Sequence, residues 1–261
     1  LQGPRTGTTT LGVNRAPFGP RGSRGIALLN WLTLIGFEVE GLILIVGSAL
    51  VLLELGGVST GPTTKALVVV GAVAVQSVLP VFGHATITRV LRWLIVPFVL
   101  AYGILAIFAI GNAHLPAASP HGWQAWTIGL AFSITLSGLS WTECGNDYSR
   151  YLPADASPKA TVGWVFLGTA VPQVLVMSLG AVVVTFIGTT AGWNGANPFV
   201  GFANQHVLPT WFAAAFMAMI GIQLLSINSL DLYSSGVTLQ ALGVRLRRHQ
   251  AVLLDSTLCL V

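Results

Sequence analysis

The sequence predicts an all-α, polytopic membrane protein. Three observations carry that reading. Of 261 residues, 54% are apolar and only 8% are charged, where a soluble globular domain carries about 25% charged residues. The mean hydropathy is +0.78. Six apolar runs are each long enough to cross a bilayer, at residues 26–53, 65–82, 90–110, 123–144, 160–187 and 207–239. Each run must be helical, because backbone groups in hydrocarbon need partners within their own segment. A seventh apolar segment starts near Gln250 and is incomplete. Both termini read as cut, LQGPRTG at one end and AVLLDSTLCLV at the other.

The connectors are rich in Gly, Pro, Ser and Thr, as turns require. Residues 1–25 form a basic connector, 26–239 the transmembrane bundle, and 240–261 a basic turn leading into the unfinished span. Orientation follows from the cations. Arg5, Arg15, Arg21, Arg24, Arg89, Arg92, Arg150, Lys159, Arg245, Arg247 and Arg248 fall on one side if the spans alternate, and Lys65 alone falls opposite. The positive-inside rule puts Leu1 and Arg150 in the cytosol of a cell membrane. The net charge of +4 is not gathered on one patch, so no nucleic-acid footprint is expected. Cys144 and Cys259 are distant and unpatterned, which predicts neither a disulfide framework nor a metal site. No P-loop, GxSxG or HExxH occurs, so no catalytic residue, metal or cofactor is expected.

Charges inside spans usually face a cavity or a partner. The first span, NWLTLIGFEVEGLILIVG, places Glu38 and Glu40 near its middle. Helical spacing puts Phe37, Glu40 and Gly41 on one face, with Glu38 about 100° aside. These residues are candidates for a polar and aromatic wall with a proton-carrying carboxylate. The alternative is an acid paired with an arginine elsewhere in the bundle.

The fourth span, AFSITLSGLSWTECGNDYSRYLP, contains Ser133, Thr135, Ser137, Gly138, Ser140 and Thr142. Small hydroxyl residues serve helix packing. A Ser-Gly-x-Ser cluster also fits an interrupted helix of the kind that exposes backbone groups to substrate and ions. Beyond it, Asp147 and Arg150 are three residues apart and can pair on one helical face, while Tyr148 and Tyr151 suit the membrane interface.

The sixth span, MAMIGIQLLSINSLDLYSSG, carries Gln223, Asn228 and Asp231, the last two on one face. An amide offers donors and acceptors together, which suits the edge of a heterocycle. Interhelical hydrogen bonding is the plainer use of the same groups.

WTECGNDYSRYLP resembles the Asp-Tyr-Ser-Arg-Tyr-Leu-Pro signature of the nucleobase:cation symporter-1 family, the purine–cytosine permeases and their hydantoin and allantoin relatives. GPRTG followed by RAPFGPRGSRGIALLNWLTLIGF is similar to the family's loop and third span. VFGHATITRVLRWL and LDLYSSGVTLQALG look like its span four-to-five connection and the end of its eighth span. The resemblance covers essentially the whole chain. It implies part of a LeuT-like bundle of inverted five-helix repeats, with these spans as family spans three to eight.

The resemblance also implies site residues. The ring-stacking aromatic falls on Phe37, and its polar neighbour one turn later on Gly41. The sixth-span ring partner falls on Gly138, beside Ser137, with Trp141 one turn away as a replacement. The eighth-span asparagine falls on Asn228. Asp147, Tyr148, Ser149 and Arg150 form the cytosolic motif, with Asp147–Arg150 as a latch. The hydroxyls that hold sodium in some relatives are replaced by Ile222 and Gln223, which favours a proton carried by Glu38, Glu40 or Asp231 over sodium.

The expectation is therefore cation-coupled symport of a nucleobase or related heterocycle such as cytosine, purine, allantoin or hydantoin. The partners are that small molecule and the lipid bilayer. Two other outcomes stay open: a truncated product that does not transport, and a membrane-embedded enzyme or receptor.

Overall fold

A computed structural model describes residues 2–114, 122–135, 140–187, 197, 199–204 and 206–260. Among these the regular structure is helical, without strands. The chain opens with two short helices, α1 (Gln2–Thr6) and α2 (Thr10–Val13). Thr9 caps α2, its hydroxyl accepting from the Gly12 amide at 3.1 Å, one of the orphan donors at a helix start.

Helix α3 (Arg15–Leu55) follows, then α4 (Pro62–Gln76), α5 (Val78–Phe82), α6 (His84–Asn112) and α7 (Trp123–Ile134). α3 is interrupted at Gly19, where φ is 69° ahead of Pro20. Only glycine adopts that conformation cheaply, so the spanning helix proper starts at the proline. α4 starts on Pro62 after the extended Gly61, the position where a missing N–H costs nothing. Gly83, at φ 87°, separates α5 from α6.

The fourth expected span is described only in part, on either side of residues 136–139. α7 ends at Ile134, and two short pieces, α8 (Ser140–Thr142) and α9 (Gly145–Ser149), follow beyond it. Ser137 and Gly138 lie outside the described residues. Five helices among the described residues are long and apolar enough to cross a membrane, Arg15–Leu55, Pro62–Phe82, His84–Asn112, Pro158–Ile187 and Thr210–Leu242. The last two are α10 and α12, with the short α11 (Val200–Asn204) between them and α13 (Arg248–Leu258) at the end.

These helices display apolar surface that water would not tolerate. Trp93, Ile95, Val96, Val99 and Leu100 of α6 are exposed, as are Trp164, Val165 and Phe166 of α10. Only 6% of the apolar window of α10 is buried. Contiguous apolar surface of this extent belongs against lipid, and the chain is a multi-pass membrane protein.

The chain divides into two compact units. The first comprises residues 1–31, 115–178 and 237–245, the second residues 32–114, 179–236 and 246–261. In the first, Leu11, Ala27 and Ala241 pack together, and Asn30 Nδ2 donates to Thr238 Oγ1 at 3.0 Å. In the second, Val51, Leu105, Ala109, Val183, Leu208, Phe212, Phe216 and Met217 form the core. Association inside a membrane rests on such packing and on interhelical hydrogen bonds, because lipid is as apolar as leucine.

Candidate functional site

The second unit contains a buried polar network where α3, α4, α12 and α13 meet. On α3, Leu34, Glu38, Leu42 and Ile45 are buried, a spacing of one helical face. That face takes Glu38 into the interior, where it is 0% exposed. Two residues further on is about 200° around the helix, so Glu40 lies exposed. Among the described residues Glu38 is thus a buried carboxylate of α3 and Glu40 an exposed one.

Asn228 of α12 is also 0% exposed. Its Nδ2 donates to the Glu38 backbone oxygen at 3.1 Å and to Gln76 Oε1 at 2.9 Å. Three helices are thereby tied through one amide group. Gly41 is what lets it fit, since a Cβ there would overlap the Asn228 amide. Phe37, half-buried, lies one turn before Gly41 on the same helix.

Glu38 itself accepts at Oε2 from the Cys259 thiol at 3.7 Å. Asp231 and Asp255 lie within electrostatic reach of its carboxyl. Asp255, 0% exposed, accepts from Ser235 Oγ at 2.8 Å, and its neighbour Ser256 shares a 2.8 Å hydrogen bond with Ser77. Three side-chain atoms of the network have no hydrogen-bond partner among the described residues: Glu38 Oε1, Gln76 Nε2 and Asn228 Oδ1. Buried polar groups are nearly always paired, so this unused capacity makes the network the candidate site. Beside it, Leu42, Ile43, Val46, Val69, Asn197 and Cys259 line a cleft of about 230 Å³.

Gln76, Asp255 and Cys259 are absent from the sequence-based candidates. The signal for Gln76 was present, as the one amide in the run KALVVVGAVAVQ. Asp255 interrupts an apolar segment in the same way. Gln223, by contrast, is engaged elsewhere, accepting from Tyr102 Oη at 2.7 Å.

The first unit holds the signature segment. Asn146 Oδ1 accepts from the Gly3 amide at 3.2 Å, and the Asn146 amide donates to Thr10 Oγ1 at 3.0 Å. The Thr10 amide in turn donates to Asp147 Oδ1 at 3.1 Å. The signature thus grips the amino-terminal helices. Ser149 packs where a Cβ on Gly3 would stand. Asp147 is 2% exposed, and burial raises its pKa to about 6, partly offset by the Thr10 N–H and by Arg150. Arg150 donates to Tyr151 Oη at 3.0 Å and lies over that ring, 4.9 Å from its centroid. The Trp141 ring faces Tyr148 at 6.0 Å.

Comparison with known proteins follows the same line. The family described as "Permease for cytosine/purines, uracil, thiamine, allantoin" matches residues 1–261. A Bacillus subtilis (strain 168) protein named "Putative purine-cytosine permease YxlA" is 29% identical over 193 residues, 70% of this chain and 39% of that relative. The chain therefore spans well under half the length of the curated relative it matches. No solved structure matches it significantly. With its lipid-facing helices, its buried amide–carboxyl network and a family match from the first residue to the last, the chain belongs to the family described as permeases for cytosine, purines, uracil, thiamine and allantoin.

Proposed function

We propose that this chain supplies the Asn228 half of the substrate site in a cation-coupled symporter for a nucleobase or related nitrogen heterocycle, with residue 1 on the cytosolic side. The observation that supports it best is the fully buried Asn228 amide with its acceptor oxygen unused. An amide fixed by its own donors presents a directional acceptor, which suits a planar polar ring. Phe37 supplies a stacking face one turn before Gly41.

The proton is the favoured coupling ion. The positions six and five residues before Asn228, where the family resemblance implies sodium-holding hydroxyls, are Ile222 and Gln223, and the Gln223 side-chain oxygen accepts from Tyr102. Glu38 and Asp231 stand instead beside the amide network as proton-carrying carboxyls. Ionisable groups inside a membrane bundle commonly serve as such relays.

The test is uptake of labelled cytosine, hypoxanthine and hydantoin into proteoliposomes of the complete protein, under an imposed pH gradient or an imposed sodium gradient. Accumulation driven by the pH gradient and indifferent to sodium is expected. Sodium-driven uptake that ignores pH refutes the proton.

A further inference from the structure

Helix α12 runs out at Gly243, whose φ of 99° is the left-handed conformation that glycine adopts cheaply. The Gly243 amide donates to Gln240 O and the Val244 amide to Leu239 O, both at 3.1 Å, so the backbone itself satisfies two of the last carbonyls. A third, on Ala241, accepts from Arg15 Nη2 at 3.4 Å. The Arg24 guanidinium lies over Gly243, its Nη2 3.6 Å from where a Cβ would stand. Two arginines from the start of α3 are thereby held at one helix C-terminus, where the negative end of the helix dipole favours cations. A guanidinium has five N–H donors, and Arg15 gives one of them to Ala241. Arg15, Arg21 and Arg24 are exposed, as is Arg245 just beyond Gly243. Arg21 and Arg24 are three residues apart on the helix that starts at Pro20, so they share a face. Residues 1–31 and 237–245 contain Arg5, Arg15, Arg21, Arg24 and Arg245 and no Asp or Glu. Asp147 meets this stretch at the Thr10 amide, but it is buried and offers the surface no counter-charge.

The surface beside these cations points to the anion they face. Phe18, between Arg15 and Arg21 in the chain, is exposed, and so are Leu28 and Leu29, about one helical turn beyond Arg24. Guanidiniums and apolar side chains this close together belong where hydrocarbon gives way to headgroups. We propose that Arg15, Arg21, Arg24 and Arg245 form a binding site for the phosphodiester of an anionic phospholipid, with Phe18 against its upper acyl chain. Sidedness alone asks only for cations on one face of the membrane; two guanidiniums fixed on a helix end supply preorganised forks, the geometry that takes a phosphate through paired hydrogen bonds. This inference stands on the placement of the chain in a bilayer and is independent of the transport site.

The experiment places the complete protein in phosphatidylcholine vesicles at low ionic strength. Spin-labelled phosphatidylglycerol is compared with spin-labelled phosphatidylcholine, and the relative association constant of the two at the protein surface is read. The variants are Arg24→Gln, Arg24→Lys, Arg21→Gln and, as a control from another connector, Lys159→Gln. Inorganic phosphate, matched against sodium chloride of equal ionic strength, separates a lipid from a soluble anion. Thermal melts in phosphatidylcholine alone check that each variant folds. Arg21 is exposed, so Arg21→Gln decides the matter should the Arg24 variants fail to fold.

The unmodified protein is expected to prefer phosphatidylglycerol by about fivefold or more, the weight of a basic residue beside an anionic lipid surface. Arg24→Gln and Arg21→Gln each lower that preference severalfold. Arg24→Lys lowers it too, because an ammonium keeps the charge and loses the fork, whereas Lys159→Gln leaves it unchanged. No preference in the unmodified protein, or one that no arginine variant reduces, overturns the site. A loss shared equally by Lys159→Gln, with Arg24→Lys harmless, is diffuse attraction to any cation and overturns it as well. Displacement of the labelled lipid by inorganic phosphate beyond the effect of chloride assigns the arginines to a soluble anion and overturns the lipid.

Discussion

Asn228 uses both amide hydrogens on the protein itself, and its chemistry follows from what remains. Asn228→Ala strands Gln76 Oε1, at a cost of about 1–3 kcal/mol if no water reaches it, and takes a second donor from the helical Glu38 carbonyl. The expected outcome is a ring affinity lowered about tenfold or more, together with a lower melting temperature. Gly41→Ala forces a Cβ into the Asn228 amide. Overpacking of this kind costs about 1–3 kcal/mol, so the variant should lose binding although it adds no polar group. Glu38→Gln preserves size and packing. On the proton reading it retains exchange of labelled for unlabelled ring and loses accumulation driven by a pH gradient; accumulation equal to the unmodified protein assigns the proton elsewhere. Asn228 was legible from sequence because an amide amid apolar residues on a span asks for a partner. The choice between Glu38 and Glu40 was not. Periodicity says that 37, 40 and 41 share a face, but which face turns inward is decided by the neighbours of α3, and Leu34, Leu42 and Ile45 pull Glu38 in with them.

At the scale of elements, α1 and α2 dock on α9 through hydrogen bonds made in both directions between Thr10 and the Asn146–Asp147 pair. Asp147 has a folded-state pKa of about 6 against an ordinary value of 3.8, raised by burial. A raised folded pKa means the native state holds the proton more tightly, so its stabilising effect is complete below the ordinary value and is lost as pH rises through about 6. The unmodified protein should therefore melt at a higher temperature at pH 5 than at pH 7. Asp147→Asn should flatten that difference, as read by thermal melts at both values; a slope unchanged by the substitution would remove Asp147 from the account. The spacing of the signature suggests an Asp147–Arg150 latch, which remains an expectation. A further partner of the carboxylate, a backbone amide 137 residues away at Thr10, has no local signal in the sequence. Gln76 was missed for a related reason. One amide at the end of a valine-rich run reads as a helix terminus until Asn228 is seen to meet it across the bundle.

For the whole molecule, composition and run length were enough to establish a multi-pass helical protein, since 8% charge leaves few other solvents than lipid. Sidedness is testable by single-cysteine labelling in sealed vesicles. Sites near Arg21 and Arg247 should react from one side and sites near Thr60 from the other; reaction of all three from the same side would contradict the topology. The central claim, that Asn228 stands at the binding site for a heterocyclic ring, is tested most directly by equilibrium binding. Labelled cytosine, hypoxanthine and hydantoin would be dialysed against the purified complete protein and its Asn228→Ala variant. The account predicts saturable binding of at least one ring by the unmodified protein and an affinity at least about tenfold lower in a variant that remains folded. Equal affinity in the two proteins would contradict it.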